Sequence, residues 1–304
     1  MIQTTLGVAA ALAACAAAFA AEGVTAASGK EAVRVERFIF KKTPQGELAV
    51  HVSYPPGWKA TDKRPGVVFF FGGAWVKGSV RHFAPQAEYV ARRGMVAARA
   101  DYRIGNRHGT TVDKCVEDAK SAVRWFRANA AKLGADPKRI VASGGSAGGH
   151  LAIACFTTKG LDAKSDDATV SCKPNLLVLF NPVLDLSSGQ MAERVGSAEI
   201  ARRISPIHHL TKDVPPAILF YGATDRFFAH GKEFVERSAK LKTSAELYYA
   251  DRQGHGFFNR PPWQQRTIHL MDRFLVKHKY LSGKATIQLP EGKVAMKRYE
   301  AAGR

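Results

Sequence analysis

The sequence predicts an α/β protein with a mostly parallel central sheet and helices on both faces. Six short apolar runs alternate with helical stretches: VVFFF at 67–71, MVAARA at 95–100, RIVAS at 139–143, LLVLF at 176–180, AILFY at 217–221 and AELYY at 245–249. Runs with so little polar alternation are typical of strands buried on both faces of a parallel sheet. Their alternation with helices implies a doubly wound sheet with right-handed crossovers.

Helices are expected between these strands, near residues 83–93, 113–133, 147–157, 229–241 and 263–278. The longest of them carries Val116, Val123 and Phe126 on one face at helical spacing and is expected to end before Gly134. Ahead of the first parallel strand, two β-prone runs flank Thr43-Pro44-Gln45-Gly46, which predicts a hairpin.

The composition favours one large globular domain. A chain of 304 residues with 46% hydrophobic content can bury one sizeable core. We expect this domain over residues 34–281, with a small cap insertion at 184–214 that contains a helix around 191–204. Residues 282–304 continue past the last expected core helix and are assigned as a C-terminal tail.

The N-terminal segment predicts export. Residues 1–20 carry no charge, are apolar from Leu6 onward and end in the small-x-small pattern Ala18-Phe19-Ala20, so we interpret them as a signal peptide followed by a spacer at 21–33. The tetrapeptide ending at Cys15 also resembles a bacterial lipobox, in which that cysteine is lipidated. Both interpretations place the protein outside the cytoplasm, periplasmic or secreted or lipid-anchored, without a transmembrane segment in the mature chain.

Cysteine spacing and charge limit the classes of partner. Removal of the signal peptide leaves Cys115, Cys155 and Cys172, so at most one disulfide can form, and the sequence does not choose it. No Cys/His cluster has zinc spacing, so neither a metal nor another cofactor is expected. The net charge of +19 is spread along the chain, which favours a solvated basic surface over a nucleic-acid site and leaves attraction to an acidic glycan open. The oligomeric state stays undetermined.

The sharpest motif is Gly144-Gly145-Ser146-Ala147-Gly148, between a predicted strand and a predicted helix. This is the context of a Gly-x-Ser-x-Gly nucleophile elbow, in which glycines allow the sharp turn that holds the serine. The helix N-terminus behind Ser146 offers free N–H groups to a developing oxyanion. The alternative is a glycine-rich turn of another kind of α/β protein, such as one that binds phosphate.

A serine hydroxyl needs a base, and the base needs an orienting acid. His255 lies between two glycines just after the strand at 245–249, and Asp225 lies just after the strand at 217–221. The chain order Ser, Asp, His matches the order expected with this elbow. Asp185 and Asp251 are rival acids, and Asp225 is preferred because Gly222 permits a turn toward the histidine.

A loop for oxyanion stabilisation is expected after the first parallel strand, where the chain reads Phe71-Gly72-Gly73-Ala74-Trp75. We predict that the backbone N–H groups of Gly73, Ala74 and Ala147 form the hole. A glycine turn with a purely structural role is the alternative.

Together these motifs resemble the esterase/lipase branch of the α/β-hydrolase fold, which includes hormone-sensitive-lipase-like enzymes and bacterial acetylxylan and feruloyl esterases. The resemblance covers residues 35–280 and rests on Asp101-Tyr102-Arg103, Glu117-Asp118-Ala119, Gly134-Ala135-Asp136-Pro137, GGSAGGHLA at 144–152, Ser205-Pro206, Pro215-Pro216 and the Asp225 and His255 loops. One position departs from the family pattern: Phe71 replaces the histidine of His-Gly-Gly, so the polar support of the oxyanion loop is expected to be missing.

The resemblance implies a serine carboxylic-ester hydrolase that acts through an acyl-enzyme on short acyl or aromatic esters of carbohydrates, with an acylated polysaccharide as an expected substrate. The aromatic residues expected to line the substrate pocket, each of which could instead belong to the core, are Trp75, Tyr102, Phe227, Phe228 and Phe257. The alternatives are a serine peptidase of the prolyl-oligopeptidase type and a non-catalytic binding protein on the same fold.

Overall fold

The computed structural model describes residues 32–187, 189–292 and 295–301, without the side chains of Gln190 and Arg194. The predicted signal peptide, most of the predicted spacer and Cys15 lie outside the described residues.

One twisted sheet organises the described chain. Its strands are β1 (Arg34–Thr43), β2 (Gly46–Tyr54), β3 (Arg64–Phe70), β4 (Val96–Ala100), β5 (Ala135–Gly145), β6 (Leu176–Phe180), β7 (Ala217–Gly222), β8 (Ala245–Ala250) and β9 (Lys297–Tyr299). They lie in the order β1-β2-β4-β3-β5-β6-β7-β8-β9. The strands from β4 to β8 in this order are parallel, while β1, β2 and β9 run antiparallel to their neighbours. The predicted hairpin and the predicted mostly parallel sheet are therefore both present.

The helices are α1 (Ala84–Arg92), α2 (Gly105–His108), α3 (Val112–Ala128), α4 (Ala147–Thr157), α5 (Gly189–Val195), α6 (Ala198–Arg203), α7 (Phe228–Lys240) and α8 (Trp263–Lys277). They form two layers, because alternate residues of each strand face opposite sides. Val68 and Phe70 of β3 belong to the core beneath α3, α4 and α7, whereas Phe69 belongs to the core beneath α1 and α8. This arrangement confirms the predicted α/β-hydrolase fold class.

Three boundaries differ from the sequence prediction. The helix expected over 113–133 ends at Ala128, and a turn leads from there into β5. The helix expected around 191–204 is two short helices, α5 and α6, because the chain breaks at Gly196 with φ of 76°. The segment assigned as a tail returns to the sheet as β9, which pairs with β8, so the sheet extends beyond the expected limit at residue 281.

A buried ion cluster supports the loop after β4. The Asp118 carboxylate, fully buried on α3, accepts hydrogen bonds from Nε of Arg103 at 2.8 Å and from Nζ of Lys41 at 2.7 Å. A buried carboxylate is stable only when it is paired in this way. The cluster therefore fixes Arg103, and with it the neighbouring Tyr102, against α3.

The three cysteines predicted to allow one bridge, Cys115, Cys155 and Cys172, are all free thiols buried in the core. Across the described ranges, no helix is both long enough and apolar enough to cross a membrane.

Candidate active site

Ser146 occupies the sharp turn between β5 and α4. Its φ of 54° and ψ of −118° are strained for a residue with a side chain. The turn is possible because the backbones approach closely: a Cβ on Gly148 would lie 2.1 Å from the carbonyl oxygen of Phe70, and one on Gly144 would lie 2.4 Å from the carbonyl oxygen of Gly148. The glycines of the motif are therefore required by space around the serine.

The structure brings the three predicted residues into one hydrogen-bonded relay. Nε2 of His255 lies 2.7 Å from Oγ of Ser146, and Nδ1 of His255 lies 2.8 Å from Oδ2 of Asp225. The Asp225 side chain is fully buried, while that of His255 is 35% exposed. A buried carboxylate on Nδ1 leaves Nε2 free to accept the serine proton.

Backbone contacts aim the acid at the base. A Cβ on Gly222 would lie 2.1 Å from the carbonyl oxygen of Gln253, so this glycine lets the β7 and β8 loops touch. Oδ1 of Asp225 accepts the N–H of Phe227 at 2.9 Å, which orients the carboxylate. The rival acids are engaged elsewhere: Asp185 accepts from Ser187 at 2.6 Å, and Asp251 pairs with Lys297 at 2.6 Å.

Asn181, just after the end of β6, contacts the His255 loop and was not predicted from the sequence. Its Oδ1 accepts the N–H of Gly256 at 3.1 Å, and its Nδ2 lies 3.4 Å from Nε2 of His255. Its own N–H donates to the carbonyl oxygen of Phe220 at 2.6 Å. A polar residue at the carboxyl end of a parallel strand is the signal that could have identified it.

The loop after β3 has the backbone that was expected of an oxyanion loop. Gly73, Ala74 and Trp75 all have positive φ, at 129°, 55° and 60°. The carbonyl oxygen of Gly73 accepts the N–H groups of Val76 and Lys77, both at 3.0 Å, which closes the turn. Within the described chain, no hydrogen bond occupies the N–H groups of Gly73, Ala74 or Ala147.

Aromatic packing and one hydrogen bond hold Phe71, the residue that replaces the histidine of the family's His-Gly-Gly pattern. Its ring stacks on Tyr102 with centroids 4.1 Å apart, and the Tyr102 hydroxyl donates to the Phe71 carbonyl oxygen at 2.8 Å. Both side chains are buried.

His82 supplies polar support to the oxyanion loop, so the expectation that such support is missing was wrong. The Gly72 N–H donates to Nδ1 of His82 at 2.9 Å, and Nε2 of His82 lies 2.8 Å from Oδ1 of Asn259. This pairing requires Nδ1 to be unprotonated, and burial lowers the pKa of His82, which favours the neutral ring. The supporting histidine comes from about ten residues later in the chain than the family pattern places it, so no local motif identifies it.

Trp75 and His150 connect the oxyanion loop to α4. Nε1 of Trp75 donates to Nδ1 of His150 at 3.2 Å, and Nε2 of His150 lies 2.7 Å from the carbonyl oxygen of Ile204. Burial lowers the pKa of His150 to about 4, so its ring is neutral at pH 7. One imidazole thus joins the loop, the helix behind the serine and the cap.

A cavity of about 310 Å³ opens at Ser146 and His255. Of the five aromatic residues predicted to line it, Trp75 and Phe227 do so, and the ring of Phe227 makes an edge contact with His255 at 5.4 Å. The remaining walls come from Gly72, Gly73, Ala74, Lys77, His82, Asn181, Val183, Met191, Arg226, Gly256, Phe258 and Asn259.

The other three aromatic predictions were wrong for this cavity. Tyr102 is fully buried beneath the oxyanion loop. Phe228 faces the helix side of the sheet, where it packs on Tyr249 with centroids 5.2 Å apart. Phe257 packs in the core and borders a neighbouring cavity, while the adjacent Phe258 lines the one at the serine. In Phe227-Phe228 and Phe257-Phe258 two aromatic residues are adjacent, and only the local turn decides which of them faces the cavity, so the sequence could not distinguish them.

No group of three or more His, Cys, Asp or Glu side chains in the described ranges could hold a metal ion. The site brings together a hydroxyl, an imidazole, a buried carboxylate and backbone N–H groups without a hydrogen-bond partner among the described residues. These are the groups that acyl transfer requires.

A family model described as BD-FAE matches residues 53–237, well over half of the sequence. This chain belongs to the BD-FAE family. The matched range contains the Ser146 and Asp225 loops and ends before His255, so the third member of the relay in this BD-FAE protein is identified by geometry.

Curated relatives and solved structures agree with this family. Esterase LipI of Mycobacterium tuberculosis is 30% identical in sequence over a match that covers 70% of this chain and 72% of LipI. Esterase LipC of the same organism is 30% identical over a match that covers 65% of this chain and 54% of LipC. The chain spans about half the length of LipC and of several other curated relatives. Esterase 2 of Thermogutta terrifontis is 44% identical, with a TM-score of 0.78 over 82% of this chain and 97% of its own. The expected α/β-hydrolase esterase family is confirmed.

Structures of the Thermogutta esterase are described as phosphoramylated by tabun, phosphorylated by paraoxon and bound to propionate and to butyrate.

Proposed function

We propose that this chain is a carboxylic-ester hydrolase that acts through an acyl-enzyme, with Ser146 as nucleophile, His255 as base and Asp225 as the orienting acid. The observation that carries the proposal is the continuous relay of 2.7 Å and 2.8 Å from the serine hydroxyl through the imidazole to the buried carboxylate. The names of the relatives, all esterases, favour ester substrates over the peptides of the prolyl-oligopeptidase alternative.

The reaction follows from the positions of these groups. Oγ of Ser146 attacks the ester carbonyl carbon while its proton passes to Nε2 of His255. The resulting oxyanion accepts hydrogen bonds from the free N–H groups of Gly73, Ala74 and Ala147. Collapse of this intermediate breaks the ester C–O bond, and the alcohol leaves with the proton from His255. Water then attacks the acyl-enzyme by the same route, which releases the acid and restores the serine.

Short acyl or aromatic esters of carbohydrates are the proposed substrate class. A cavity of about 310 Å³ walled by Trp75, Met191 and Phe227 has room for a small acyl group. The propionate and butyrate complexes of the Thermogutta esterase support the same acyl size. The carbohydrate alcohol is proposed on the family resemblance and on the exposure of the catalytic histidine, which leaves space for a bulky leaving group.

Replacement of the nucleophile tests the mechanism. Ser146→Ala is expected to lower kcat for 4-nitrophenyl propionate by at least about 10³-fold, with an unchanged thermal unfolding midpoint. A fluorophosphonate probe is expected to label the wild-type protein at Ser146 and to leave the variant unlabelled. Activity that survives in the variant would overturn the assignment, and absence of labelling in folded wild-type protein would favour a non-catalytic binding protein.

A parallel substrate screen tests the ester class. We expect hydrolysis of 4-nitrophenyl propionate, acetylated xylan and methyl ferulate to exceed that of a proline-containing peptide amide by several orders of magnitude. Preferential cleavage of the peptide would contradict the proposal.

We further propose that the protein is exported. The support is the uncharged apolar run of residues 1–20 and its small-x-small ending. Mass spectrometry of the mature N-terminus is expected to find a chain starting at Ala21 or, for lipid anchoring, at a diacylated Cys15. A mature chain that retains Met1 would contradict both forms.

A further inference from the structure

Three cavities that share lining residues lie side by side at the active site, and we refer to them together as the cleft. The cavity at Ser146 shares Gly73, Ala74, Trp75 and Lys77 with a cavity of about 400 Å³ that continues to Thr110 and Thr111. It shares His255 and Gly256 with a third cavity, of about 300 Å³, that continues to Arg260.

The charged side chains that line this cleft are all cationic apart from the titratable histidines. Lys77 and Arg226 line the central cavity from opposite loops, after β3 and after β7, and Arg260 lines the third. No aspartate or glutamate lines any of the three cavities. Asp225, the carboxylate of the relay, is fully buried and paired with His255.

These cations also lack carboxylate partners. Within the described part of the chain, Lys77, Arg226 and Arg260 take part in no ion pair, and Arg226 makes only a cation–π contact with Phe227 at 4.6 Å. The large cavity on the α3 side differs, because its Lys120 and Arg124 both pair with Asp162, at 2.7 Å and 2.6 Å. Among the described residues, unpaired cations also occur elsewhere on this basic surface, Lys159 and Lys173 of the α3-side cavity among them. The cleft is distinguished by the absence of any carboxylate from the described residues that line it, whereas Asp162 and Asp213 line the α3-side cavity.

We propose that the cleft selects carboxylic esters whose alcohol part carries an anionic group, a carboxylate or a sulfate, and that Lys77 and Arg226 bind that group. The apolar walls formed by Met191, Phe227 and Phe258 take the acyl part, while the exposed cations at the rim meet the alcohol part. This inference rests on the proposed function and names the substrate class of the same site.

Two isosteric esters measure the selectivity directly. 4-Acetoxybenzoate carries a carboxylate on its leaving group at pH 7.5, and 4-acetoxybenzamide is neutral with nearly the same shape. In Lys77→Gln/Arg226→Gln we expect the ratio of kcat/KM for the anionic ester to kcat/KM for the neutral ester to fall about tenfold, since a partly exposed cation near an anion changes binding severalfold. Comparison of ratios cancels the intrinsic reactivity of the two phenyl esters.

The matched control is Lys132→Gln/Lys240→Gln, which removes the same net charge from exposed positions after α3 and at the end of α7, at the opposite edge of the sheet. This control is expected to keep the wild-type ratio. An unchanged ratio in the cleft variant, or an equal fall in the control, would overturn the proposal, because the second result would indicate steering by net charge alone.

A binding measurement separates this inference from the proposed function. In the Ser146→Ala background, calorimetry is expected to give a dissociation constant for 4-acetoxybenzoate about tenfold weaker when Lys77 and Arg226 are both glutamine. Equal dissociation constants would overturn the anionic subsite even where wild-type turnover is normal. Failure of the wild-type protein to hydrolyse either ester, with the binding difference intact, would instead reject the proposed reaction.

Discussion

The nucleophile turn and the oxyanion loop lie on either side of the same cavity, yet they differ in how much of their support comes from distant side chains. Around Ser146 the constraint is backbone against backbone: Gly148 passes so close to the carbonyl oxygen of Phe70 that a Cβ would lie 2.1 Å away. The oxyanion loop also has close backbone contacts, since a Cβ on Gly73 would lie 1.9 Å from the carbonyl oxygen of Lys77. It depends in addition on distant side chains: the Tyr102 hydroxyl lies 2.8 Å from the Phe71 carbonyl oxygen, and the His82 ring lies 2.9 Å from the Gly72 nitrogen.

This difference predicts how each side tolerates substitution. A backbone contact leaves no rotamer to adjust, so one added methyl group must displace a strand or a helix. A side-chain contact can be replaced by another group that presents a hydrogen-bonding atom at the same place. The nucleophile turn should therefore fail abruptly when a Cβ is added to it, whereas loss of the side-chain contacts of the oxyanion loop should reduce function by degrees.

The largest expected effect follows from Gly148→Ala. The new methyl group would meet the carbonyl oxygens of Phe70 at 2.1 Å and Phe71 at 2.4 Å, both in the backbone. We expect a loss of at least about 3 kcal/mol in the free energy of unfolding, as for severe overpacking, together with loss of esterase activity. Urea unfolding followed by circular dichroism measures the first effect.

Gly105→Ala is the matched control for that substitution. A Cβ at Gly105 would lie 3.5 Å from the nearest atom, the Cα of Val76, which is ordinary contact. This variant is expected to unfold within about 1 kcal/mol of the wild type. Similar losses in the two variants would show that the close approach at Gly148 is not what constrains the turn.

The same difference explains what the sequence could predict. The strands, the hairpin and the Ser146 turn depend on local patterns of apolar residues and glycine, so they could be read directly from the chain. Asp225 and His255 could also be placed, because the carboxyl ends of parallel strands meet at one edge of a sheet.

Contacts between distant segments could not be predicted in this way. His82 and Asn259 are separated by 177 residues and meet only after folding. Phe257 was predicted as a wall residue, and only the turn after Gly256 decides that its neighbour Phe258 lines the cavity instead. β9 was missed because the three residues Lys297–Tyr299 carry no apolar run, and they pair with β8 through the backbone.

An intermediate effect is expected at His150, which connects the two sides of the cavity through Trp75. The folded state keeps this buried ring neutral, with a pKa of about 4, whereas the unfolded chain binds a proton near pH 6.5. The corresponding stability is therefore present above pH 6.5 and is lost as the pH falls toward 4, by as much as about 3 kcal/mol. His150→Gln has no titrating ring, so its unfolding free energy should decline less over that range.

Urea unfolding at pH 7, 5.5 and 4 measures this difference. His209→Gln removes a partly exposed histidine whose one side-chain hydrogen bond among the described residues is to the carbonyl oxygen of Arg202, and it is expected to follow the wild-type profile. If His150→Gln and the wild type lost stability in parallel, the buried ring would have no part in the acid response.

The smallest effect is expected at His82. It tests whether another side-chain acceptor can replace the contact that this residue makes with the oxyanion loop. His82→Ala removes the acceptor of the Gly72 N–H. We expect kcat for 4-nitrophenyl propionate to fall by roughly 10- to 100-fold at unchanged KM, less than the loss of a whole oxyanion donor. His82→Gln retains a side-chain acceptor and should recover most of the lost kcat.

A purely structural role for His82 would give a different pattern, because its ring also packs against Phe83 and Phe258, with centroids 4.7 Å and 5.7 Å away. In that case both variants would lose thermal stability alike, and glutamine would not restore kcat. The pH response adds a second readout. Burial lowers the pKa of His82, and protonation of Nδ1 would remove the acceptor, so the contribution of this residue to kcat is present at neutral pH and is lost only as the pH falls below 6.5. The ratio of wild-type kcat to that of His82→Gln should accordingly be constant above pH 7 and decrease toward acid pH, since glutamine keeps its acceptor throughout.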